Sequence, residues 1–258
     1  MKLFMLIAAL LVTTTFVRAK VLSEIRVYTD GKTSMDGLFL WDDSKEGRRP
    51  GVLIFHAWKG PGSFEIKQAE RLARLGYVAF VADIYGTGVR PKSNKEAAKR
   101  SGHFKNNPPK LRRRARLALE QIKTHKLVDG DRVGAIGYCF GGTTVLELAR
   151  SGADVKGVVS FHGGLKTSLP AKKGNIKSKI LVLHGTVDPH APMADVNRLI
   201  SELEAVDVDY YIELYGGAVH AFTNPGAGTD VSIGVAYNSR AARRSWRSMK
   251  SFFAEILR

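Results

Sequence analysis

The chain has 258 residues, of which 44% are hydrophobic and 25% charged, which excludes a low-complexity chain and is typical of a globular protein. Its 40 Lys and Arg residues outnumber its 24 Asp and Glu residues and give a net charge of +16, which would attract nucleic acid, anionic lipid or acidic polymers. The single cysteine, Cys139, excludes an intramolecular disulfide.

Residues 1–19 have the pattern of a signal peptide. Lys2 precedes an apolar run over residues 3–17, shorter than the roughly 20 residues that a membrane-spanning helix needs. Residues 17–19 offer a cleavage site before Lys20. A retained anchor and a buried N-terminal element are the alternatives. We expect cleavage and a periplasmic or secreted protein, in which the loss of Lys2 and Arg18 leaves a net charge of +14.

The remaining residues, 20–258, have the length of a single α/β domain. Residues 23–28 and 38–41 read as two short strands that pair at a sheet edge. Residues 51–56 form an apolar run that suits a central strand buried on both faces, and a helix follows residues 61–64.

The segment 86–109 is polar, rich in lysine and interrupted by proline and glycine, with a short helix predicted over 94–100. Loops of this length in compact domains tend to carry function or to be mobile. Two interpretations stay open for it, a lid or rim of a cleft and a surface excursion that does not contact substrate.

Two basic groups lie on predicted helices. Apolar spacing in the helix that begins near residue 110 places its arginines on the solvent face, namely Arg112, Arg113, Arg114 and Arg116. A second group lies on the C-terminal helix and comprises Arg240, Arg243, Arg244 and Arg247. No zinc-finger, RNP-like or helix-turn-helix pattern accompanies them. We therefore expect no specific nucleic-acid partner, and at most a weak association with anionic surfaces.

Residues 133–149 read as a nucleophile elbow, a sharp turn from a strand into a helix with Cys139 at its apex. Gly137 and Gly141 leave the room that the tight backbone needs. The helix begins at the cysteine, so its N-terminal dipole favours thiolate over thiol. The alternative is an inert buried cysteine in an ordinary glycine-rich turn.

An acid and a histidine follow downstream, each just past a predicted strand. Asp188 follows the strand over 179–185, and His220 follows the strand over 210–215. Nucleophile, acid and histidine in this chain order are typical of an α/β-hydrolase, whose site lies at the carboxyl ends of a parallel sheet. We expect this fold, with a mostly parallel sheet, helices on both faces, and Cys139, Asp188 and His220 as one catalytic unit.

The chain resembles the dienelactone hydrolase family, the cysteine branch of the α/β-hydrolases, from about residue 50 to the C-terminus. The matching residues are 76–86, 137–142, 184–188 and 217–222. The resemblance implies that Cys139 is the nucleophile, His220 the base and Asp188 the acid that orients it. Two features of the family are missing. Ala57 stands where its members typically have a glutamate, and the arginines that grip a substrate carboxylate are not evident near Thr87 and Asn224.

Other site residues follow from the elbow and the loops around it. The backbone N–H groups of Trp58 and Phe140 are candidates for the oxyanion hole. The side chains of Tyr85, Tyr138 and Phe222 flank motif residues and either line the pocket or belong to the core.

The remaining histidines do not indicate a metal site. His184, Asp188 and His190 lack a recognised ligand spacing, so we expect no metal. His162 borders the cleft in a structural role. No phosphate-cradling or dinucleotide motif occurs, so we expect no cofactor.

These residues predict a hydrolase that cleaves a small ester or lactone through an acyl-thioester on Cys139. A general carboxylesterase or thioesterase is the main rival. From another class, a non-catalytic exported scaffold that binds through its basic surface is the alternative, and Ala57 is its best support.

Overall fold

The computed structural model describes residues 20–258, so the predicted signal peptide lies outside it. The strands are β1 (Val21–Asp30), β2 (Thr33–Asp42), β3 (Arg49–Phe55), β4 (Val78–Ala82), β5 (Val128–Tyr138), β6 (Gly157–Phe161), β7 (Lys179–Gly185) and β8 (Tyr210–Tyr215). The helices are α1 (Ser63–Arg74), α2 (Asn94–Lys105), α3 (Pro108–Lys123), α4 (Phe140–Arg150), α5 (Met193–Ala205) and α6 (Ser239–Ile256). Within these described residues, no helix combines the length and hydropathy that crossing a membrane requires.

All eight strands form one sheet in the order β1-β2-β4-β3-β5-β6-β7-β8. β1 pairs antiparallel with β2 at the edge, β2 pairs antiparallel with β4, and the pairs from β4 to β8 are all parallel. The predicted α/β fold with a mostly parallel sheet is confirmed, as is the antiparallel pair at its edge. The carboxyl ends of the parallel strands therefore open toward one side, where a site can be assembled.

Both faces of the sheet are buried, because successive side chains of a strand point to opposite faces. In β3, Leu53 and Phe55 pack with α3, α4 and α5, whereas Val52 and Ile54 pack with α1 and α6. Each helix supplies one apolar stripe, such as Met249, Phe252 and Phe253 of α6. Continuous apolar strands between two helical layers explain why the central strands read as uninterrupted hydrophobic runs.

The first basic group is less exposed than predicted. Arg114 is only 3% exposed, and its guanidinium donates to Asp30 Oδ2 at 2.9 Å and to the Ile84 carbonyl at 2.7 Å. Arg112 pairs with the buried Glu147 of α4 at 2.7 Å. The solvent-face prediction is therefore wrong for these two arginines, because α3 packs against elements whose carboxylates neutralise them. The second group, on α6, is exposed.

Candidate active site

The turn between β5 and α4 is the predicted elbow. Cys139 has φ 55° and ψ −111°, a conformation that non-glycine residues rarely adopt. A Cβ atom on Gly137 would overlap the Gly141 carbonyl, and one on Gly141 would overlap the Phe55 carbonyl. Only glycine fits these two positions, so the sequence imposes the sharp turn. Such backbone strain is typical of functional sites.

The three predicted triad residues lie together at the carboxyl edge of the sheet. The side chains of Cys139 and His220 lie close enough to shift each other's pKa, and His220 Nδ1 lies 2.8 Å from Asp188 Oδ2. The other oxygen of Asp188 accepts the N–H groups of His190 at 2.8 Å and Ala191 at 3.2 Å. Asp188 is 2% exposed and His220 is 8% exposed, so their charges interact in a poorly solvated site.

Cys139 and His220 stabilise each other's charged forms. Burial by itself would raise the pKa of the Cys139 thiol, but the His220 cation and hydrogen bonds from His220, Phe140 and Trp58 lower it below its ordinary value. Burial by itself would lower the pKa of His220, but the Cys139 anion and the hydrogen bond to Asp188 raise it to about 10. The site therefore favours a thiolate beside an imidazolium over the neutral pair.

The two predicted oxyanion-hole residues also converge on the sulfur. The backbone N–H groups of Phe140 and Trp58 both lie close enough to Cys139 to lower the pKa of its thiol. Phe140 is the first residue of α4, and Trp58 lies in the loop after β3. Two N–H groups at the nucleophile can stabilise negative charge that develops on an adjacent oxygen.

Sequence reasoning missed Glu65, a buried residue in the first turn of α1. Its carboxylate accepts the backbone N–H of Ala57 at 3.0 Å and that of Gly62 at 3.0 Å. A glutamate three residues after a helix N-cap is a recognisable signal, but it predicts only the contact with the cap residue. The contact with Ala57 depends on how the loop folds back.

His162 packs against His220, as expected for a structural residue bordering the cleft. The two ring centroids are 5.2 Å apart, and His162 Nε2 lies 2.7 Å from Thr223 Oγ1. Burial holds the pKa of His162 well below its ordinary value, so this imidazole is neutral. His162 therefore supports the segment that carries His220 without adding charge.

For the three side chains considered for the pocket lining, burial favours the core, the second of the two interpretations. Tyr85 is 2% exposed, Tyr138 is 1% exposed and Phe222 is fully buried. They belong to the core, and none of them presents an open surface to a ligand, because strands and helices pack over their rings. Tyr85 nevertheless reaches the site through its hydroxyl, which donates to the Trp58 carbonyl at 2.9 Å.

The polar segment 86–109 contacts the site. Its helix, α2, extends to Lys105 and is longer than predicted. Phe104 is 1% exposed and packs on Tyr85 and Phe140, with ring centroids 5.5 Å and 6.2 Å away. This packing favours the rim interpretation over a surface excursion, because Phe104 touches the residue that follows the nucleophile.

His184 and His190 are occupied by other contacts. His184 Nε2 donates to the Ala191 carbonyl at 2.8 Å, and the His190 ring lies 5.0 Å from the His220 ring. Over residues 20–258, no three His, Cys, Asp or Glu side chains are grouped as metal ligands would be.

Comparisons with known proteins agree with this geometry. The model of the dienelactone hydrolase family matches residues 35–257. A Synechocystis sp. protein provisionally named a carboxymethylenebutenolidase is 28% identical, with 82% of this chain and 88% of the relative aligned. A Bradyrhizobium sp. protein named as a probable lactonase is 26% identical, with 78% of this chain and 82% of the relative aligned. A solved dienelactone hydrolase-like promiscuous phosphotriesterase from metagenomic libraries is 38% identical, with a TM-score of 0.86 over 92% of this chain and 99% of that one.

Proposed function

The chain belongs to the dienelactone hydrolase family and is a hydrolase of ester or lactone bonds, and we propose that it works through a Cys139 thiolate and an acyl-thioester intermediate. The observation that carries this proposal is the convergence of three groups on one sulfur, with a fourth group behind one of them. The His220 side chain and the N–H groups of Trp58 and Phe140 all lie close to Cys139, and Asp188 holds the far side of His220.

In the acylation step, the thiolate attacks the carbonyl carbon of the ester or lactone and forms a carbon–sulfur bond. The carbonyl electron pair moves to oxygen, where the N–H groups of Trp58 and Phe140 stabilise the negative charge. The tetrahedral adduct then collapses, and the carbon–oxygen bond of the alkoxide breaks. His220 gives its proton to that alkoxide, which stays tethered to the acyl group in a lactone.

In the deacylation step, neutral His220 removes a proton from water, which attacks the thioester carbonyl. The second tetrahedral adduct releases the acid and returns Cys139 as thiolate beside protonated His220. Asp188 keeps His220 Nδ1 engaged throughout, so that the other ring nitrogen remains available to sulfur, alkoxide and water. The cycle therefore consumes one water and needs no further reactant.

Hydrolysis of a panel of activated esters, thioesters and lactones, run under reducing conditions beside Cys139→Ala, tests the proposal. We expect turnover of at least one oxygen ester or lactone by the parent and none above background by the variant. Turnover that survives in Cys139→Ala would contradict the mechanism. No hydrolysis by either protein, together with slow alkylation of Cys139, would support the non-catalytic scaffold instead.

Phosphotriester hydrolysis is a second candidate activity. It is favoured by the 38% identity to the solved protein named as a promiscuous phosphotriesterase, which aligns over nearly its whole length. A thiolate flanked by two N–H donors suits attack on a phosphoryl centre as well as on a carbonyl. Adding an activated phosphotriester to the panel tests it, and the same Cys139→Ala control applies.

A further inference from the structure

The loop between β3 and α1 closes on a buried carboxylate. Glu65 is 3% exposed, and its two oxygens are used within this one loop, Oε1 by the Ala57 N–H and Oε2 by the Gly62 N–H, each at 3.0 Å. Trp58 lies between the two donors. The carboxylate therefore spans the segment that brings the Trp58 N–H to the sulfur of Cys139.

Further contacts fix the same stretch of backbone. The Ala57 carbonyl, which shares a peptide plane with the Trp58 N–H, accepts the Gly60 N–H at 3.1 Å and lies 2.6 Å from His56 Nδ1. The Trp58 carbonyl accepts the Tyr85 hydroxyl at 2.9 Å. With Glu65 holding the Ala57 N–H, the peptide that carries the Trp58 N–H is anchored on both sides. An oxyanion donor must be preorganised in this way, because a donor that reorients during reaction stabilises the transition state less.

Helix capping alone does not account for Glu65. A cap requires the bond to Gly62, three residues before Glu65, but it does not require the bond to Ala57, eight residues before it. Burying a carboxylate is costly unless charge-assisted hydrogen bonds compensate it. Both of these bonds are made to N–H groups of the loop, so the buried carboxylate fixes the shape of that loop.

We propose that Glu65 is a positioning residue that holds the Trp58 N–H in the oxyanion hole. The inference rests on the proposed function, since an oxyanion forms only if Cys139 attacks a carbonyl. It assigns the rigidity of the hole to a carboxylate that does not touch the substrate.

Glu65→Gln tests the proposal, because an amide has one acceptor oxygen and leaves one of the two N–H groups unpaired. We expect kcat for an activated oxygen ester to fall about tenfold or more while KM changes less than about twofold. We also expect the midpoint of the pH dependence of Cys139 alkylation by iodoacetamide to move upward, because a displaced Trp58 N–H no longer stabilises the thiolate.

Asp42→Asn is the matched control. Asp42 is the last residue of β2, is 3% exposed and accepts the Ser44 N–H at 2.9 Å, so this change weakens a comparable bond from a buried carboxylate to a loop outside the site. We expect unchanged kcat and an unchanged alkylation midpoint in this variant.

A folded Glu65→Gln protein with parental kcat and a parental alkylation midpoint would overturn the proposal and leave Glu65 as a helix cap. Glu65→Asp guards against a variant that does not fold, because it keeps the charge but is one methylene too short to keep both bonds. It should lose kcat as well, and parental kcat in folded Glu65→Asp would overturn the proposal too. Absence of hydrolysis by the parent would refute the proposed function instead, and the alkylation midpoint would still decide the role of Glu65.

Discussion

Asp188 contributes to the charge state of the site although it does not touch the sulfur. One oxygen bonds to His220 at 2.8 Å, and the other accepts two backbone N–H groups, which fix its position. Together with the Cys139 anion, this bond keeps His220 protonated up to a pKa of about 10. The acid that must protonate a leaving alkoxide is therefore available over a wide pH range.

Asp188→Asn should lower kcat/KM at least about 100-fold, because the imidazole loses the anion that orients it and stabilises its cation. The pH profile of kcat/KM should change as well. In the parent, activity rises as Cys139 ionises below its ordinary pKa and falls as His220 loses its proton near pH 10. Removing the anion lowers the pKa of His220, so the alkaline limb should move to lower pH.

Asp195→Asn is the control for the loss of a buried carboxylate. Asp195 is 3% exposed and pairs with Arg198 on α5 and with Lys166 on the β6–β7 connection, and its carboxylate makes no hydrogen bond or ion pair to Cys139, Asp188 or His220. The alkaline limb of the pH profile of kcat/KM for Asp195→Asn should coincide with that of the parent. An Asp188→Asn profile with an unshifted alkaline limb would contradict the role of Asp188.

At the residue scale, the sequence was sufficient to predict that Cys139, Asp188 and His220 lie together, because each follows a strand and strand ends meet at one edge of a parallel sheet. It was insufficient for Glu65, since Ala57 and Glu65 are brought together only by the turn between β3 and α1. Spacing along the chain predicts which elements carry chemistry. It does not predict which backbone groups a folded loop presents to a neighbouring carboxylate.

At the scale of elements, one buried arginine adds polar anchors to the apolar face through which α3 packs on the sheet. Arg114 donates to Oδ2 of Asp30, the last residue of β1, and to the carbonyls of Ile84 and Tyr85, which follow β4. Arg113 donates to both oxygens of the same Asp30 but is largely exposed. Two adjacent arginines thus share one carboxylate in different degrees of burial.

Arg114→Met should lower the free energy of unfolding by about 3 kcal/mol, because the Ile84 and Tyr85 carbonyls lose a charged donor in a buried environment. Arg113→Met should cost less than about 1 kcal/mol, since an exposed ion pair contributes little. Urea unfolding of both variants at neutral pH measures the difference. Equal losses of unfolding free energy in the two variants would contradict the larger contribution assigned to Arg114.

The positions of the β-strands could be predicted, whereas the environment of the helices could not. Buried parallel strands have continuous apolar runs, and these identified β3, β5 and β7 directly. For α3, the apolar spacing gave the correct inner face but not the partners of Arg112 and Arg114, because Glu147 and Asp30 lie far away in sequence. For α2, the last turn depends on Phe104 packing against Tyr85 and Phe140 rather than on local propensity.

At the scale of the whole molecule, the N-terminal leader and the basic surface remain predictions about where the protein works. β1 begins at Val21, one residue after the expected cleavage point, so removing residues 1–19 would leave the described sheet intact. Exposed arginines of α6 contribute to the net charge of +14 expected for the cleaved chain. This surface would favour weak, salt-sensitive association with anionic material.

Expression of the full chain in a host with an export pathway tests the leader. We expect the exported fraction to contain a protein whose mass and N-terminal sequence begin at Lys20. A variant with Leu6→Arg and Leu10→Arg, which interrupts the apolar run, should stay inside the cell uncleaved. An intact N-terminus at Met1 on the exported parent would contradict cleavage and favour a retained anchor.

The most direct test of the mechanism is the mass of the protein after rapid mixing with an activated ester and an acid quench. The parent should gain the mass of one acyl group, and peptide mapping should locate it on Cys139 as a thioester. The same experiment on Cys139→Ala should give no acyl adduct. An acyl group on any other residue, or steady turnover in the variant, would contradict a cysteine nucleophile in this site.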